Sequence, residues 1–166
     1  MHRRVFVTMA ALAGTSLGVL QKPAFALDTD AANSAILDRY VAAFNAHDAD
    51  AFAGVIAEHY LQHNGRAGQG LAGLQAALRG YFQTFPDFHV QIDDRIFGGD
   101  RVAVRSTMTA THTQPVQLGP GAPVFAPTGK HLAWGAMDIW RVADGKFAEH
   151  WDENDFFGLA RQLRSD

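Results

Sequence analysis

Two apolar, aromatic-rich runs meet at Ala143-Asp144-Gly145-Lys146, and this junction restricts the possible folds more than any other stretch of the chain. Asp-Gly supplies the positive φ angles of a tight type I′ turn, so His131 to Asp155 is expected to form an antiparallel hairpin. Strand alternation then places Leu132, Trp134, Ala136, Asp138, Trp140 and Val142 on one face. If that face is buried, ionising Asp138 is costly. Desolvation raises a carboxyl's pKa, and one still protonated near neutral pH can donate a hydrogen bond or a proton to a substrate. In an ideal two-residue hairpin Asp138 lies opposite Trp151 and Glu149 opposite Trp140; a bulge would reverse that parity.

The chain ahead of the hairpin changes period once. Ile36, Leu37, Tyr40, Val41 and Phe44 share a helix face that Thr29 or Asp30 can cap. Asp48 can cap a second helix carrying Phe52, Val55 and Ile56, which the chain leaves near His59. Tyr60 to His63 reads as extended, and Asn64 to Gly73, with four glycines, as a loop. Leu74, Leu78, Tyr81, Phe82 and Phe85 stripe a third helix that Pro86 stops. Beyond it the period is two: Phe88, Val90, Ile92, Asp94 and Ile96 form the dry face of one strand. Gly98-Gly99-Asp100 turns into a second strand with Val102, Val104, Ser106, Met108, Ala110 and His112 on one side. Gln114 to Thr128, with four prolines and two glycines, is an irregular excursion. Phe156 to Leu163 suits a last helical turn. The expectation is an α+β domain, three N-terminal helices packed on a curved antiparallel sheet of at least four strands that encloses an apolar pocket.

A length of 166 residues, 48% hydrophobic content and a net charge of -3 suit one globular domain with a real core. The scattered basic residues form no stripe for a nucleic-acid backbone. The absence of cysteine removes disulfides, thiol nucleophiles and zinc-thiolate sites. Residues 1–26 read as a secretory signal peptide: Arg3 and Arg4, an apolar run from Val5 to Leu20, and Ala24-Phe25-Ala26 as the cleavage site. Arg3-Arg4-Val5-Phe6-Val7 also resembles a twin-arginine signal, so both export routes fit. The apolar run is shorter than the roughly 20 residues of a membrane span. Residues 27–166 are then the mature single domain, exported to the periplasm or medium, with no stable membrane span.

Several separate motifs resemble the SnoaL-like polyketide cyclase (ester cyclase) family, a branch of the NTF2-like cone folds. They are Phe44-Asn45-Ala46-His47-Asp48, Tyr60-Leu61-Gln62-His63-Asn64, Phe85-Pro86-Asp87-Phe88, Gly99 through Arg105, Thr111-His112, Pro127-Thr128-Gly129-Lys130, and Asp138 through Trp151. Their order and spacing, from about Ile36 to Leu163, carry the resemblance. It implies ring closure by intramolecular aldol condensation without metal or organic cofactor, with a strand aspartate as acid/base, and Asp138 holds that position. Limonene-epoxide-hydrolase-like and ketosteroid-isomerase-like enzymes share the cone. The sequence departs from the family at Gln114 to Pro123, where a short turn is usual, and in carrying an export signal.

Asp138 is therefore the expected acid/base, the alternative being a structural carboxylate, with His112 as its helper or as a merely hydrogen-bonded strand end. His63, Trp134, Trp151, Tyr60 and Phe82 are assigned to substrate binding, with core packing the alternative for the tryptophans. His59 and His63 stand four apart but lack the glutamate of a zinc motif, so no metal is expected. Glu149, Asp152, Glu153 and Asp155 read as a solvated acidic edge. The expected partner is a small carbonyl-containing or polycyclic molecule, with a homodimer through the sheet also open. The competing function is a non-catalytic binding or dimerisation module.

Overall fold

The computed structural model describes residues 24–119 and 121–164. The leader expectation, residues 1–26, thus falls almost wholly outside the described residues. Helix α1 spans Ala24–Asn45 and begins ahead of the Thr29/Asp30 cap assigned from sequence. The second expected helix is a single 3₁₀ turn, Ala51–Gly54. Its N-cap is Asp50, without a side-chain cap bond, and Asp48 lies two residues ahead, its Oδ1 accepting from the N–H groups of Asp50 and Ala51 at 3.0 Å each. Ile56, assigned to that helix, opens strand β1 (Ile56–Gln62) instead. The β-branched side chains of Val55 and Ile56 and the aromatic ring of Tyr60, all buried, suit a pleated surface better than a short helix. Helix α2 covers Gly70–Thr84 and stops before Pro86 as expected. Its first turn folds back so closely on the preceding loop that a Cβ on Gly73 would lie 2.5 Å from the carbonyl carbon of Gly68. The third helix, α3 (Phe156–Arg164), lies at the C-terminal end, so α1, the 3₁₀ turn, β1 and α2 stand in chain order where three N-terminal helices were expected.

The main sheet contains β1, β2 (His89–Gly98), β3 (Arg101–Thr111), β6 (His131–Ala143) and β7 (Lys146–Asn154) in the order β1-β7-β6-β3-β2. It is mixed, correcting the all-antiparallel expectation, because β1 runs parallel to β7. That pairing joins segments separated by most of the chain, and no local pattern announces it. The excursion after His112 carries a small separate ladder of β4 (Val116–Gln117) and β5 (Val124–Phe125).

Two bulges decide which side chains face inward. Ile92 pairs with Ser106 and Asp94 with Arg105, leaving Asp93 extra on β2. Parity reverses there, so Ile96, assigned to the dry face, is exposed, whereas Phe97 packs against the core. In the hairpin Arg141 pairs with Glu149 and Val142 with Phe147, leaving Ala148 extra on β7. The turn has the expected form, with φ of 50° at Asp144 and 71° at Gly145.

One core cluster packs α1 and α2 on the sheet through Leu37, Tyr40, Phe52, Leu78, Trp140 and Phe147. The second joins Phe85, Phe88, Leu132 and Trp134 to Leu159 and Leu163 of α3. Polar ties fix the helices: Asn45 brackets the backbone of Val90, at 3.0 and 2.8 Å, as a neighbouring strand would. Arg95 donates to Asp38 of α1 at 2.8 Å.

Candidate active site

On β6 burial alternates from Leu132 to Trp140 as the sequence requires, and Asp138 belongs to the buried set. Its face is the concave one. A cavity of about 220 Å³ lies under α1 and α2, walled by Phe44, Leu78, Tyr81, Phe88, Ile92 and Met108 on one side. Asp138, His150, Gln62, Ser106, Asp152 and Asn154 line the other.

The bulge at Ala148 assembles this polar wall. It places Asp138 opposite Asp152 and Trp140 opposite His150, so His150 and Asp152 point inward. Trp151, the partner expected for Asp138, points to the outer face. The His150 Nε2 atom lies 3.0 Å from Asp138 Oδ1, with the two residues 6% and 8% exposed. The other ring nitrogen, Nδ1, lies 2.9 Å from Gln62 Oε1. Gln62 Nε2 donates to Asp152 Oδ1 at 3.0 Å. Asp152 also accepts from Asn64, from Arg66 and, at 2.8 Å, from Asn154. Gln62 is held in place by a reciprocal pair between its backbone and the Gln69 amide, at 2.9 and 2.7 Å.

This order fixes where protons sit. An ionised Asp152 only accepts, so the Gln62 amide must turn its NH₂ towards it and its oxygen towards His150. That oxygen in turn requires a hydrogen on His150 Nδ1. The remaining nitrogen shares one proton with Asp138, either as neutral imidazole accepting from a carboxylic acid or as imidazolium donating to a carboxylate. Burial, the largest influence, pushes the Asp138 carboxyl up. The His150 hydrogen bond and charge oppose it, Asp152 adds to it and Arg66 opposes it. Trp140 stacks on the imidazole at 4.7 Å and 4°, an indole face suited to a positive ring. Asp138 Oδ2 has no hydrogen bond among the described residues, and it is the atom left for a ligand.

The other residues assigned from sequence are scattered. His112 is fully buried, but it lies eight positions along β3 from Val104, the residue paired with Asp138. At roughly 3.3 Å per residue that is about 26 Å, too far to help Asp138. Its Nδ1 faces Thr128 Oγ1 at 3.0 Å, and its backbone closes the excursion against Thr128, Gly129 and Lys130. His112 is thus a buckle for that loop, and His150 stands where a helper was sought. His63 stacks on Trp151 at 4.6 Å and pairs with Glu149 at 2.9 Å on the outer face. Trp134 packs between Phe85 and Phe88 in the second core cluster. Tyr60 is buried behind His150, 6.2 Å from it, and Phe82 stacks on His47. Asp152, read as part of a solvated edge, has a side chain only 6% exposed and accepts four hydrogen bonds. His59 sits within β1, so its spacing to His63 is not helical. Among the described residues no three His, Asp or Glu side chains converge as metal ligands. No helix of the described residues is long and apolar enough to cross a membrane.

A second concavity of about 670 Å³ lies on the outer sheet face, against Ile96, Met137, Ile139, Trp151 and His63. Asn64, Arg66, Val104, Asp138 and Asp152 border both spaces, so the Asp152 network stands between the outer groove and the inner cavity.

Residues 34–163 match the family model of the SnoaL-like polyketide cyclases. Among solved structures, TsrD from Streptomyces laurentii is similar with 30% identity and a TM-score of 0.72, over 81% of this chain and 96% of that one. AclR from Streptomyces galilaeus matches with 28% identity and a TM-score of 0.68, over 80% and 96%. IdmH from Streptomyces antibioticus matches with 25% identity and a TM-score of 0.69, over 80% and 98%. No curated protein matches the sequence.

Proposed function

The chain belongs to the SnoaL-like polyketide cyclase family, and from that premise we propose that it is an acid/base catalyst acting on a small carbonyl compound in the inner cavity. The observation that carries this reading is the Asp138–His150 pair at 3.0 Å, which shares one proton and leaves Oδ2 free on the cavity wall. As carboxylate, Asp138 takes a proton from the carbon next to the ligand's carbonyl, and the imidazolium steadies the charge on Oδ1 as the pair changes state. In an aldol step the enolate carbon then bonds to a second carbonyl carbon, and the new alkoxide takes the proton back from Asp138. In an isomerisation the proton returns to another carbon. Both reactions begin with the same proton removal, and neither requires a cofactor. Relatives with solved structures include a candidate hydroxylase as well as candidate cyclases, so the shared step is a sounder proposal than any one product.

The test follows that step directly. The protein is incubated in D₂O with cyclic ketones such as 1- and 2-tetralone, and α-deuteration is followed by NMR. Exchange well above the buffer rate that disappears in Asp138→Asn supports the proposal; exchange that is absent, or equal in the variant, sinks it. Binding without exchange would instead favour a ligand-holding module. The proposal includes export, resting on the basic and apolar N-terminus, which cell fractionation of the full chain tests. It also includes pairing of two copies through the outer sheet face, where Ile96, Met137 and Ile139 are exposed; sedimentation equilibrium tests that.

A further inference from the structure

Four buried polar atoms among the described residues have no protein partner: Tyr60 Oη, Ser106 Oγ, His112 Nε2 and Trp140 Nε1. Tyr60 and His112 belong to the protein interior away from the cavity wall. Trp140 lies on the wall, but its ring, part of the first core cluster, is held by stacking on Phe147 and His150. Ser106 is different: it lines the cavity, is 2% exposed, and holds a hydroxyl that nothing in the protein answers. Leaving such a group unpaired is unfavourable, so its retention on a wall whose polar neighbours Gln62, His150, Asp152 and Asn154 bond to one another points to an outside partner.

The position of Ser106 says where that partner lies. Val104 is the cross-strand partner of Asp138 and Ser106 that of Ala136, all on the inward face. Ser106 is therefore a diagonal neighbour of Asp138, about 7–8 Å away between backbones. Both residues line the cavity, together with those four polar neighbours and the apolar Phe44, Leu78, Tyr81, Phe88, Ile92 and Met108. The size of the chamber adds a limit. An apolar cavity of about 150 Å³ holds a benzene ring, so about 220 Å³ accommodates one substituted ring or two fused rings, and not four.

We propose that Ser106 anchors the ligand, and that the ligand is a compact one- or two-ring ketone or phenol with a second oxygen on the same edge, hydrogen-bonded to Ser106 Oγ. This rests on the acid/base reading only for the role of the first oxygen, the one that meets Asp138. A hydroxyl both donates and accepts, so carbonyl and hydroxyl oxygens are equally suitable at the second position.

Calorimetric titration of the full chain with 1-tetralone and with 5-, 6- and 7-hydroxy-1-tetralone tests it, alongside 5,12-naphthacenequinone as a four-ring probe. At least one hydroxytetralone is expected to bind about threefold to tenfold more tightly than 1-tetralone. Ser106→Ala should erase that preference, leave 1-tetralone binding unchanged, and melt no lower than the parent, since it removes an unanswered hydroxyl. Asp138→Asn should retain the preference. Preference retained in Ser106→Ala, no binding of any two-ring probe, or four-ring binding as tight as two-ring binding overturns the inference. Failure of the acid/base reading shows separately, as ketone exchange unaffected by Asp138→Asn.

Discussion

Asp138 Oδ1 and His150 Nε2 lie 3.0 Å apart although neither residue is the other's cross-strand partner. Asp138 pairs with Asp152, and His150 with Trp140. The contact is diagonal across the β6–β7 ladder, within reach of side chains of this length. It exists because Ala148 is bulged, which brings residues 150, 152 and 154 to the concave face. From there a single line of bonds runs from Arg66 through Asp152, Gln62 and His150 to Asp138, ending at an oxygen on the cavity wall.

Replacing Asp138 by Asn should abolish ketone exchange, a loss on the order of 10²–10⁴-fold, while ligand affinity changes by no more than a few-fold. The amide can still donate to His150 Nε2, so the fold should survive. The pH dependence of stability gives an independent check. The folded state holds the Asp138 carboxyl above its ordinary value, chiefly by burial. Its contribution is therefore fully present below the unfolded value near 4 and is lost as pH rises through the folded one. Relative to the parent, the Asn variant should gain in melting temperature as pH is raised through that window. Parallel melting curves between about pH 4 and 8 show whether the gap widens.

Gln62 touches no ligand atom in this scheme; it positions His150. Gln62→Met keeps the length and removes the acceptor, leaving His150 Nδ1 without its fixed hydrogen bond. Two outcomes are expected: mixed tautomers in the ¹⁵N spectrum of His150, and exchange slowed about 10-fold or more while melting falls only modestly. A variant with one unaltered tautomer and a lower melting temperature would reduce Gln62 to a structural role.

Much of this site was readable in advance, and the unreadable part has a definite cause. The Asp-Gly turn and the strict alternation of β6 follow from local chain geometry, which is why Asp138 on a buried face emerged from sequence. His150, Asp152 and Asn154 also sit at two-residue spacing, a polar stripe legible as such. Their face depends on one extra residue in the hairpin, and bulges answer to twist and packing rather than to the residue at the bulge. Gln62 joined late for another reason: it reaches His150 through a parallel pairing of β1 with β7 that only the folded chain specifies. The attraction of His112 was its place on the same face as Ser106, but position along the strand, which alternation does not measure, separates it from the chemistry.

Arg66 holds Asp152 and lowers the pKa of Asp138 through its charge. In Arg66→Ala the Asp138 carboxyl should rise further, so the acid limb of the exchange rate against pH should move to higher pH. Arg66→Lys should restore part of the shift by charge without the planar contact. The rate profile of the three proteins decides, because a purely structural loss would lower the plateau and leave the limb in place.

At the hairpin turn Gly145 holds a φ of 71°. Alanine there meets the left-handed penalty, so Gly145→Ala should lower stability by about 1–2 kcal/mol. Asp144→Asn should be nearly neutral, since asparagine tolerates the φ of 50° found at that position. Urea titration of both variants measures the difference.

Deleting Ala148 tests whether register alone assembles the site. With the bulged residue gone the hairpin can close as an unbroken ladder, and the pairing beyond it is the one already present: Arg141 with Glu149, Trp140 with His150 and Asp138 with Asp152. His150 and Asp152 therefore stay on the concave face, and the deletion variant should fold and retain ketone exchange. Ala148→Gly, which keeps the bulge and the residue count, should likewise preserve both. Loss of exchange in a deletion variant that melts near the parent would show that the local twist of the bulge, and not the register beyond it, brings Asp138 and His150 together.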